Sequence, residues 1–115
     1  MQIKEKIEDS VAVLSFKGDL LGEPDTTKIR EKIHSLVSDN IKKIVIDLSG
    51  VNYMNSSGLG TLISVLTTVK NGGGELVLAN VGGKVQNLFL ITQLVKVFDT
   101  YETVDRALAH FKGEK

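Results

Sequence analysis

Ile44-Val45-Ile46-Asp47-Leu48 is a nearly unbroken apolar and β-branched run in the middle of the chain, with no alternation of polar and apolar positions. A strand of that kind fits burial on both faces, and a sheet covered on both faces needs helices on either side. The run is therefore predicted to be a central strand. Leu76-Val77-Leu78-Ala79 repeats the pattern. Between the two runs, Leu59, Leu62, Ile63, Leu66 and Val69 recur at helical spacing until Gly72-Gly73-Gly74 stops them. Strand, helix and strand in that order imply parallel pairing through a right-handed crossover.

The flanks complete the architecture. Ile3 to Ile7 alternates apolar and polar, Glu8-Asp9-Ser10 makes a turn, and Val11 to Phe16 returns as the second strand of a hairpin. Gly18 to Pro24 is a loop, after which Ile29, Ile33, Leu36 and Val37 mark a helix. Pro24 suits the first helical position and Asp25 complements the helix dipole. Val85, Leu88 and Phe89 suggest a short third helix, Val97-Phe98 a brief strand, and Val104, Ala107, Leu108 and Phe111 a last amphipathic helix. The prediction is one α/β domain over residues 1–115, a mixed sheet of about five strands packed with about four helices. The tail Gly113-Glu114-Lys115 is expected to fray.

Composition narrows the function. Fourteen basic residues balance fourteen acidic ones, which argues against a nucleic-acid module with its basic surplus. No apolar run approaches the roughly 20 residues of a membrane helix. There is no cysteine, hence no disulfide framework, and Met1-Gln2-Ile3-Lys4-Glu5-Lys6 lacks the apolar core of a secretory signal. A cytoplasmic protein without membrane insertion is expected.

The chemistry gathers at Asn55-Ser56-Ser57-Gly58-Leu59-Gly60, where the loop after the central strand turns into a helix. A helix start carries unpaired N–H groups and partial positive charge, so a serine there caps the helix or holds an added phosphate. Capping explains one serine but not a pair beside Gly-x-Gly. Gly58 and Gly60 leave the first turn bare for another surface to approach. Asp47 is expected to hydrogen-bond loop backbone. Tyr53 and Met54 fit either the rim of a docking patch or loop anchors, and the sequence leaves that open. Catalysis has little to stand on: His34 and His110 sit on ordinary amphipathic helices as two solvated histidines, away from any serine triad. No cysteine or clustered His/Asp/Glu spacing suggests a metal. Gly72-Gly73-Gly74 ends a helix where a phosphate loop would begin one, and Ile63 stands where a dinucleotide fingerprint needs its third glycine. No cofactor is expected.

Val45 to Met54 followed by Asn55-Ser56-Ser57-Gly58-Leu59-Gly60 resembles the signature of the STAS family, specifically its small bacterial anti-sigma factor antagonists, and the resemblance extends over nearly the whole chain. It implies a protein that binds an anti-sigma factor, itself a serine kinase, and so frees a sigma factor while catalysing nothing. The family's Asp-Ser-Ser-Gly motif is phosphorylated on its second serine, which falls on Ser57 here, with Ser56 as the alternative. Asn55, Ser56, Ser57, Gly58, Leu59 and Gly60 would then meet the partner, Asp47 and Asp19 would support the loop, and a phosphatase would be a further partner. Two positions depart from the pattern. Asn55 replaces the aspartate before the serine pair, and Leu21, in Gly18-Asp19-Leu20-Leu21, replaces the aspartate usual after Gly-x-Leu. Their absence predicts less efficient phosphorylation, unless Asp19 or Asp25, on a loop about one residue longer than usual, supplies the charge. Two other readings stay open on the same fold: an unphosphorylated scaffold subunit of a signalling or lipid-transport complex, and a small-ligand or nucleotide binder using the same helix start.

Overall fold

The computed structural model of the chain describes residues 1–113. Strands β1 (Gln2–Glu8) and β2 (Val11–Lys17) form an antiparallel hairpin in register from Gln2 opposite Lys17 to Glu8 opposite Val11. Asp9 and Ser10 close it with φ of 52° and 68°, the mirror-image turn whose twist matches that of the strands. The chain continues through α1 (Asp25–Ser38), β3 (Lys43–Gly50), α2 (Ser56–Asn71), β4 (Glu75–Ala79), α3 (Gly83–Ile91), β5 (Thr100–Tyr101) and α4 (Val104–Phe111). The strands lie in the order β1-β2-β3-β4-β5, with every pair after the hairpin parallel.

β3 is central, and Ile44, Val45, Ile46 and Leu48 are fully buried. Its period-two alternation sends Ile44, Ile46 and Leu48, with Ala12, Leu14, Phe16, Leu76 and Leu78 of the neighbouring strands, into the core shared with α1, α2 and α3. Val45, with Val11, Val13, Val77 and Ala79, faces α4 through Ala107 and Leu108. The absence of polar alternation in β3 thus reflects helices on both sides. Glu114 and Lys115, part of the tail expected to fray, lie outside the described residues.

Two local expectations are corrected. The last strand is Thr100–Tyr101, paired with Leu78 and Ala79, and not Val97-Phe98. Phe98 is buried because its ring stacks on Phe89 with centroids 5.5 Å apart, and Val97 is exposed in a turn closed by its N–H on the Leu94 carbonyl. An aromatic anchored to a helix looks the same as a strand residue in so short a window. Pro24 sits one residue earlier than expected, at the N-cap of α1. Proline has no side chain to cap with, and beside it Glu23 accepts hydrogen bonds from the Thr26 and Thr27 hydroxyls and pairs with Arg30 at 3.1 Å.

Candidate functional site at the start of α2

The signature loop is held from both ends. Met54 is fully buried and bridges Leu20 in parallel fashion. The Leu20 N–H donates to the Tyr53 carbonyl at 3.1 Å and the Asn55 N–H to the Leu20 carbonyl at 3.2 Å. The β2–α1 loop is thereby laced to the β3–α2 loop. Met54 is an anchor, whereas Tyr53, 46% exposed, and Leu21, 51% exposed, turn their side chains to the surface.

Neither serine caps the helix. Asn55 does: its Oδ1 accepts from the Gly58 N–H at 3.1 Å, and its Nδ2 donates to the Leu21 carbonyl at 2.7 Å. The second bond needs a donor that an aspartate lacks. Ser56 and Ser57 occupy the first turn, both exposed, and neither hydroxyl makes a hydrogen bond among the described residues. Asparagine out-competes them as the cap because it alone also satisfies the neighbouring loop.

The two glycines play different parts, which corrects the expectation that both lie open. Gly58 is buried, and a Cβ there would lie 2.5 Å from the Leu20 carbonyl oxygen and 2.7 Å from its Cγ. It is the close approach of α2 to the β2–α1 loop that requires glycine. Gly60 is exposed, with nothing within 4 Å of its would-be Cβ. Leu59 points into the core. The outward surface of the motif is therefore Ser56, Ser57 and Gly60.

Asp47 lies on the α4 side of β3, sharing the face of Val45. Its Oδ1 accepts from the Ser49 N–H at 3.0 Å and from Asn80 Nδ2 at 2.9 Å, and its Oδ2 from the Ser15 hydroxyl at 3.2 Å. Burial alone would push its carboxyl up, but the bonds from Asn80, Ser49 and Ser15 outweigh it and hold the group below the ordinary 3.8. It ties together the exits of β2, β3 and β4. Asp19 is exposed and makes no side-chain hydrogen bond among the described residues, and Asp25 pairs with the Met1 amino group at 3.6 Å. Among the described residues, neither carboxylate hydrogen-bonds to Ser56 or Ser57.

One group at the site went unnoticed in the sequence. Thr61, buried in the apolar stripe of α2, donates to the Ser57 carbonyl at 2.9 Å and lies 3.5 Å from Arg30 Nη1. Arg30 in turn pairs with Glu23, whose carboxyl is held low by the Thr26 and Thr27 hydroxyls and by the Arg30 charge. A lone threonine four residues after Ser57 was the available signal. The histidines stand elsewhere: His34 is exposed on α1, while His110 is not a solvated residue but half-buried on α4, paired with Glu75 at 2.7 Å and stacked on Tyr101. Among the described residues, no His/Cys/Asp/Glu group has the arrangement to hold a metal ion, and no helix is long and apolar enough to cross a membrane.

The family model described as STAS domain matches residues 2–107. The chain belongs to the STAS domain family. Within it, the chain is 37% identical over 99 residues to the anti-sigma-B factor antagonist of Bacillus subtilis, covering 86% of this chain and 87% of that protein. The crystal structure of an anti-sigma factor antagonist from Mycobacterium paratuberculosis superposes with a TM-score of 0.81 at 27% identity, over 95% of this chain and 92% of that one. The SpoIIAA fold is also shared: its unphosphorylated form gives a TM-score of 0.76 at 16% identity over 97% and 99% of the two chains, and the Bacillus protein in its phosphorylated form gives 0.74 at 18% over 96% and 99%. The five-stranded mixed sheet with four helices is the STAS fold of these relatives.

Proposed function

We propose that this STAS protein is an anti-sigma factor antagonist: it docks through the start of α2 on an anti-sigma factor that is also a serine kinase, frees a sigma factor, and is switched off when that kinase phosphorylates Ser57. A phosphatase resets it, and the protein itself only accepts the phosphate. The observation that carries this reading is the assignment of the cap to Asn55, which leaves the Ser57 hydroxyl exposed and without a hydrogen bond among the described residues. Modifying it breaks nothing in the fold. A phosphate brings a charge of about −1.5 to −2 to the outward surface, and an exposed helix start favours an anion by roughly 0.3–1 kcal/mol. The partner, not the fold, then bears the cost, because charge must be desolvated where it would pack against Gly60. The antagonist names of the relatives, and the existence of SpoIIAA in phosphorylated and unphosphorylated forms, support the reading.

The test pairs the protein with anti-sigma kinases encoded in the same genome and maps the phosphate by tandem mass spectrometry. Ser57→Asp should melt near the parent temperature yet fail to bind, Ser57→Ala should bind and resist inactivation, and Ser56→Ala should still accept phosphate. Phosphate mapped to Ser56, or a Ser57→Asp protein that binds normally, would overturn the proposal.

A further inference from the structure

Arg30 reaches from α1 to the first turns of α2. Its Nη1 lies 3.5 Å from the Thr61 hydroxyl, and that hydroxyl donates to the Ser57 carbonyl at 2.9 Å. Ser57 and Thr61 are four residues apart, so their side chains lie one above the other on a single helix face, with Ser57 nearer the helix start. Ser56 is turned away from that face by about 100°. The guanidinium is under-used. Nη2 pairs with Glu23 Oε1 at 3.1 Å, Nη1 has only the long contact with a neutral hydroxyl, and its remaining donors have no partner among the described residues. The side chain is 42% exposed, free to pivot without moving α1.

We propose that Arg30 is the residue that receives a phosphoryl group on Ser57, and that this pairing, out of reach of Ser56, is what distinguishes the two serines. The proposal rests on the reading of Ser57 as the modified residue. Nη1 exchanges its long contact with Thr61 for a shorter, charge-assisted bond to a phosphate oxygen, while Nη2 keeps Glu23. A flat guanidinium with five donors serves two anions at once, which a lysine ammonium on a flexible stem does less well. Glu23 opposes the phosphate by its own charge, so it tempers the pairing. The phosphate is thereby drawn toward Arg30 and the groove between α1 and α2.

The test needs no kinase. Phosphoserine is incorporated during synthesis of the full chain at position 57 or, separately, at position 56, and its second ionisation is followed by phosphorus NMR. In the folded protein the group at 57 should titrate below its value in the urea-unfolded chain, and Arg30→Gln should raise it by roughly half a unit or more. Arg30→Lys should restore part of the shift, Glu23→Gln should lower the value further, and the group at 56 should not respond to Arg30→Gln. A titration at 57 indifferent to Arg30→Gln, or an equal response at 56, overturns the pairing. Because the phosphate is built in, a failed kinase assay counts against the proposed function alone and leaves this result readable.

Discussion

Gly58 meets a packing requirement against Leu20, while Gly60, two residues on along the same helix, is left open for the proposed docking. Gly58→Ala forces a Cβ against the Leu20 carbonyl, where backbone cannot yield, and should cost about 1–3 kcal/mol in a urea melt. Gly60→Ala enters open space in a helix interior and should stabilise by about 0.5–1 kcal/mol. Gly60→Gln should likewise fold, with an unchanged circular dichroism spectrum, but bind the anti-sigma partner more weakly. Equal binding by Gly60→Gln would remove this face from the interface. The sequence marked both glycines as special but not the difference between them, because the difference is made by Leu20, a residue far away in the chain.

The elements were legible where periodicity is long. β3, β4, α2 and the hairpin announce themselves through runs of buried residues or clear alternation, and their parallel order follows from chain topology alone. The two-residue β5 was not legible, since its place is set by the Leu78 and Ala79 backbone rather than by its own side chains. The cap of α2 was not legible for a related reason: Asn55, Ser56 and Ser57 all have good capping propensity, and the Leu21 carbonyl decides among them. That lacing between loops makes a prediction. Asn55→Asp keeps the acceptor for the Gly58 N–H but loses the donor to Leu21, placing a carboxylate against a carbonyl. Amide exchange at Leu20 and Asn55 should quicken by about fivefold, the equivalent of one hydrogen bond worth roughly 1 kcal/mol. Unchanged protection at both amides would show that the loop holds without Asn55. Any gain in phosphorylation from the restored aspartate would therefore come with a looser loop.

At the scale of the whole molecule, Asp47 joins three parallel strands where they leave the sheet, and its ionised form is the one that accepts all three bonds. Its pKa is lower folded than unfolded, so its contribution is full above the ordinary 3.8 and lost as the pH falls through that value toward the folded one. Asp47→Asn cannot titrate. The gap in urea midpoint between the parent and Asp47→Asn should thus be present at pH 7 and shrink by pH 3, and a gap independent of pH would remove the carboxylate's charge from the account. The margins of the sheet have a different consequence. β1 carries Lys4, Glu5, Lys6 and Glu8 along an outer edge, and β5 offers only two residues. Charged or very short margins discourage another chain from extending the sheet by strand addition. A partner docking at the start of α2, as proposed, would therefore recognise side chains and a bare helix turn. Such recognition is what one phosphate can veto, because an added strand would spread its main-chain bonds over many residues, beyond the influence of a single modified serine.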